Sequence, residues 1–117
     1  MNVPDNSTLN TILTDLVSDM VEYMNDAAPA YTQEHIDQCR EILVAHAASI
    51  KQAPDRAAAK LLVKATVTRL NELNEEVEGE LIETLERESI CEFIITAGAL
   101  KGFNTREEDV TEDWREW

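Results

Sequence analysis

Leu9, Ile12, Leu13, Leu16, Val17, Met20, Val21 and Met24 recur at i, i+3, i+4, i+7 spacing. A stripe of that length commits the segment to an amphipathic helix, and such a helix must bury its apolar face against another element. Asn6 or Ser7 can cap its start, and Pro29 stops it. Its polar face carries Asp15, Asp19, Glu22 and Asp26.

The rest of the chain supplies the partners for that face. Thr32 can cap a second helix with Ile36, Cys39, Leu43, Ala47 and Ile50 as inner stripe and His46 on or beside it. Lys51 suits the negative end of that helix. Pro54 breaks the chain and Asp55 caps a third helix. This one opens with RAAAKLLVKA, a strong helix former, and lines Leu62, Val63, Val67, Leu70, Leu73 and Val77 along one face. Gly79 predicts a boundary near 74–80, with one bent helix as the alternative. A fourth helix then holds Leu81, Ile82, Leu85, Ile90, Phe93, Ile94, Ala97 and Leu100 and ends at Gly102. Its stretch SICEFIITAGAL is apolar on most sides, which predicts the most buried helix. Thr105 and Glu108 have capping-box spacing, so a short fifth helix is expected in the tail.

Short links between such helices predict an all-α fold, an antiparallel bundle of four main helices with a short C-terminal helical tail. At 117 residues one domain, 1–117, is expected. Residues 1–6 read as a flexible N-terminus and 104–117 as an acidic tail. The expected core holds Leu13, Leu16, Val17, Met20, Ile36, Leu43, Leu62, Leu70, Leu73, Leu85, Phe93, Ile94 and Ala97. Apolar residues at 44% rule out a disordered acidic chain, and 3 Gly with 3 Pro agree with helices on short links.

Charge narrows the function. Net charge is −14, and such a surface repels nucleic acid and anionic lipid but attracts basic protein. Residues 51–70 run against the trend, with Lys51, Arg56, Lys60, Lys64 and Arg69 facing Asp55 alone. Solubility is the plainer purpose of such charge. Cys39 and Cys91 do not make a disulfide framework and read as buried reduced thiols of a cytoplasmic protein. No signal peptide or membrane-length apolar run is visible.

The stretch EEVEGELIETLERE, residues 75–88, raises the main chemical question. Glu80, Glu83 and Glu76 can share one helix face. With the acidic row of the first helix they could hold Mg²⁺, as in all-helical nucleotide pyrophosphatases with paired ExxE and ExxD motifs. Glu72/Glu75, Glu80/Glu83 and Glu83/Glu86 have ExxE spacing, but no downstream ExxD and no phosphate-binding Lys or Asn set accompanies them. Each acidic row also lies opposite an apolar stripe, where a solvated face belongs. His35 and Cys39 are spaced i, i+4, with only His46 and Cys91 to complete a zinc site. His35 reads as a surface residue near a helix start, and His46 as a satisfied, partly buried one. ExxH, GxGxxG and Walker motifs are absent. The chain is therefore expected not to be an enzyme and to need no metal or cofactor.

The tail gathers Phe103, Trp114 and Trp117 beside Arg106 and Arg115. Trp and Arg dominate interface hot spots. Trp114 is expected to fold back over the core, and Trp117 is the better candidate for exposure.

Thr66, Leu70, Asn71, Leu73, Glu75 and Glu76, then Glu80, Ile82, Glu83, Leu85 and Arg87, then Gly102, Phe103 and Trp114 form a layout over the second half of the chain. It resembles a family of small bacterial proteins of uncharacterised function. Cys39-Arg40-Glu41-Ile42-Leu43 and Leu62-Val63-Lys64-Ala65 are also placed like segments of type VI secretion immunity proteins. The similar kind is the small helical one that neutralises an NAD(P)⁺ glycohydrolase effector. The resemblance implies a protein that binds one cognate toxin and does no chemistry.

The expected function is accordingly an immunity protein that covers the basic active-site cleft of a secreted antibacterial toxin with an acidic helical surface. The expected binding residues are Glu75, Glu76, Glu80, Glu83, Glu86, Trp114 and Trp117. Nucleic acid and membrane are not expected partners, and a homodimer is possible. The alternatives are a phage-type nucleic-acid mimic inhibiting a DNA-binding defence protein, a Mg²⁺-dependent helical nucleotide hydrolase, and a structural homo-oligomer.

Overall fold

The computed structural model describes residues 6–117, so the expectation for residues 1–5 lies outside the described residues. Four helices follow one another: α1 (Ser7–Ala27), α2 (Gln33–Gln52), α3 (Arg56–Glu76) and α4 (Thr84–Leu100). Asn6 caps α1, its side chain accepting from the Thr8 and Leu9 amides. At α2 the Thr32 amide donates to His35 Nδ1 at 3.0 Å. At α3 the Asp55 carboxylate accepts from the Ala58 amide at 2.8 Å. Each cap satisfies backbone donors that a helix start leaves orphaned.

The chain is an all-α antiparallel bundle. α2 is its centre, packing against α1, α3 and α4, and α1 also packs along α4. Leu16, Met20, Ile36, Leu43, Ile50, Val67, Leu70, Ile90, Phe93 and Ile94 fill the interior, each under 2% exposed. Val17 and Leu62, expected in the core, are only half-buried at its margin.

Two expected elements differ. α4 begins at Thr84, so Leu81 and Ile82 belong to the link 77–83. They are nevertheless buried, because the link folds inward over the bundle end. Starting the helix at Thr84 turns Leu85 outward, and it is 64% exposed instead of a core residue. The link is held by paired bonds that end α3: the Gly79 amide donates to Asn74 O and the Glu78 amide to Glu75 O. That Schellman arrangement puts Glu78, with φ +60°, where glycine is usual.

The tail forms no fifth helix. The expected capping contact exists, with the Thr105 amide donating to Glu108 Oε1 at 2.9 Å, but the residues that follow form turns. Long-range partners outcompete the helix. Asn71 on α3 donates to Trp114 O and accepts from the Glu116 amide. The buried Thr111 hydroxyl lies 3.3 Å from Cys91 Sγ on α4. Asn104 donates to Ile95 O and approaches Gly98 so closely that a Cβ there would collide with it. The tail thus spans from α3 to α4 and closes that side of the bundle.

Candidate functional site

Alternating helix direction collects the end of α1, the start of α2, the end of α3 and the start of α4 at one pole. Two contacts tie these parts together. The Ala30 amide donates to Glu80 Oε1 at 3.2 Å, joining the first link to the third. Tyr31, 3% exposed, donates its hydroxyl to Met20 O at 2.9 Å. Burial, then Glu86, Tyr23, Glu83 and Glu80, push the Tyr31 phenol up to about 12.

The carboxylates of residues 75–88 split into two kinds. Glu80 and Glu86 are half-buried and hold backbone, Glu80 as described and Glu86 by accepting from the Glu83 amide at 3.0 Å. Glu75, Glu76, Glu78, Glu83 and Glu88 are exposed. Glu76 ends α3 while Glu80 and Glu83 lie in the link, so the expected single helix face is not formed. Of the ExxE pairs, Glu72/Glu75 lies on α3, Glu80/Glu83 lies in the link and Glu83/Glu86 crosses the start of α4. Among the described residues no group of three or more His, Cys, Asp or Glu side chains is placed to hold a metal ion.

Glu22, Asp26, Glu34 and Asp37 add exposed charge at the same pole. The far pole is mixed. There the tail brings its acids onto the basic stretch of α3, and Arg56 pairs with Glu108 at 3.0 Å. The Thr105 backbone and Arg56 hold the Glu108 carboxyl below its usual range. Beside them a cleft of about 250 Å³ is floored by Ile50, Ala59, Val63 and Trp114 and rimmed by Lys60 and Asp113.

Trp114 and Trp117 do not join the acidic pole through exposed rings. Each is half-buried and packed on the core. Trp117 Nε1 is buried without a hydrogen-bond partner among the described residues, so this ring is not the exposed anchor expected. Asp109 and Arg115 pair at 3.0 Å and stiffen this part of the tail. Burial would raise the Asp109 carboxyl, but bonds from Thr111 and Arg115 outweigh it and hold the group low.

The two cysteines are free. Cys39 is buried and its thiol is pushed up to about 12 by desolvation. Cys91 is half-buried, less than expected, and burial raises it as well. His35 lies at the start of α2, as its position implied. His46 is fully rather than partly buried and only half satisfied: Nδ1 meets the Thr66 hydroxyl at 2.6 Å, while Nε2 has no partner among the described residues. Sequence reasoning missed Tyr23 and Tyr31, whose rings stack with centroids 6.4 Å apart at the acidic pole. Tyr23 follows Glu22 on the helix face next to the apolar stripe, a position that could have marked it.

No described helix is long and apolar enough to cross a membrane. Comparison with models of protein families, with curated proteins and with solved structures finds no match to this chain.

Proposed function

We propose that this protein is an inhibitory binding protein, an immunity protein that neutralises a cognate secreted antibacterial toxin by covering its basic active-site cleft. The observation that carries the reading is the acidic pole. Exposed Glu75, Glu76, Glu78 and Glu83 stand there on a rigid, capped scaffold, and none of them is in a salt bridge among the described residues. Carboxylates left unpaired within a fold keep their full attraction for a cationic partner. Toxins that act on nucleotides or nucleic acids need cationic clefts for their phosphates. The type VI resemblance fits the same role.

The test pairs capture with inhibition. Tagged protein and a Glu75→Lys/Glu76→Lys/Glu83→Lys variant are used as bait in host extract at low and moderate salt. A single stoichiometric partner with an enzymatic domain, inhibited by the purified wild type and released by the variant, is expected. A partner whose activity is untouched, or one held equally by the variant, would sink the reading. Recovery of a DNA-binding defence protein would move it to nucleic-acid mimicry.

A further inference from the structure

We propose that Tyr23 and Leu85 are the apolar anchors of a docking surface on the acidic pole, and that its occupant is a basic protein surface offering an apolar pocket flanked by Lys or Arg. The proposal rests on the inhibitor reading and locates the contact within it. Single exposed leucines are ordinary on a protein surface, so exposure alone carries nothing. Here two large apolar side chains stand at the same end of the bundle, 45% and 64% exposed. α1 and α4, which bear them, pack against each other. Tyr31 links the two places: it stacks on Tyr23, and the Ala30 amide beside it donates to Glu80 of the link that leads into Leu85.

The arrangement is preorganised. Tyr23 stacks on a Tyr31 whose hydroxyl is tied to Met20 O, so its ring loses little freedom on binding. Leu85 sits in the first turn of α4, fixed by the bond between the Glu83 amide and Glu86. An apolar centre inside a charged rim is the layout of an interface with a few strong anchors. The rim charge decides the occupant. Glu22, Asp26, Glu83 and Glu88 are exposed around the anchors. Nucleic acid and anionic lipid are repelled by such a rim. A second copy meeting this face with its own would set like charges together. A basic protein satisfies rim and centre at once.

The test is an NMR titration of the labelled full chain with a short amphipathic helical peptide of Lys and Leu, alongside a Lys–Gly peptide of equal charge. Shifts centred on Tyr23, Leu85 and their flanking acids are expected, with the Lys–Gly peptide binding at least about tenfold more weakly. Leu85→Ser and Tyr23→Ala should each weaken Lys–Leu binding about tenfold, and Leu61→Ser, an exposed leucine on α3, should not. Leu85→Ser alters an exposed side chain, so it keeps the test open if Tyr23→Ala disturbs the fold. Equal binding of the two peptides, shifts centred elsewhere, or no binding overturns the proposal. Shifts at Tyr23 and Leu85 that follow protein concentration alone would assign the surface to a second copy and also overturn it. A toxin captured and inhibited normally despite such a result would leave the inhibitor reading standing without this surface.

Discussion

His46 Nδ1 lies 2.6 Å from the Thr66 hydroxyl across the α2–α3 interface, and its other nitrogen has no partner among the described residues. Desolvation lowers the imidazole from 6.5 to about 4. Between those values the unfolded chain binds a proton that the folded chain refuses, so stability rises with pH through the window and falls as pH drops toward 4. The loss by pH 4 is on the order of 3 kcal/mol at most. Urea melts from neutral pH down to this range should show His46→Gln with a flatter dependence than wild type. Parallel curves would remove His46 as the cause.

Glu78 occupies a left-handed position, φ +60°, where its Cβ costs free energy. Glu78→Gly should therefore stabilise the fold by about 0.5–1 kcal/mol despite the entropy glycine adds to the unfolded chain. Thermal unfolding reads this as a rise of a few degrees, and a fall would show that the carboxylate matters more than the backbone.

Asn74 is 7% exposed, and its Oδ1 accepts from the Ile82 amide at 2.9 Å. Asn74→Ala orphans that buried donor and should cost about 1–3 kcal/mol. Hydrogen exchange at Ile82 should quicken more than at Ile94. Uniform change along the chain would mean that the link is not held by this bond.

Asn71 fastens the tail through Trp114 O and the Glu116 amide. Asn71→Ala removes both bonds, about 1–3 kcal/mol in total. Trp fluorescence should shift to the red, since both tryptophans lie in this segment. Cys91, covered by Thr111, should react faster with a thiol reagent. Unchanged thiol reactivity would show that the remaining contacts hold the tail without Asn71.

The starts of α1, α2 and α3 were legible because Asn6, Thr32 and Asp55 are capping residues and the two breaks carry prolines. The start of α4 was not. Leu81 and Ile82 extend its apolar pattern backward although they are buried from a link, and periodicity cannot tell the two situations apart. Taking the helix from Leu81 then carried Leu85 into the core. The tail failed for another reason: its local capping signal is real, but Asn71, Cys91 and Gly98 are partners that no local pattern announces. The acidic pole was half legible. The density of carboxylates was plain, while the division between Glu80 and Glu86, which hold backbone, and exposed Glu75, Glu76 and Glu83 needed three dimensions.

The separation of the two poles changes how the net charge of −14 is felt. The molecule is 42 Å long, while screening at physiological salt extends only about 8 Å. A partner near residues 75–88 is thus blind to Lys60 and Arg56, and sees a local charge density much higher than the average over the chain. The acidic tail laid across Arg56 has a second effect: it sets a carboxylate against the start of the basic stretch of α3 and weakens the cationic end of the molecule. Orientation on approach is thereby selected by the end, before any side chain touches.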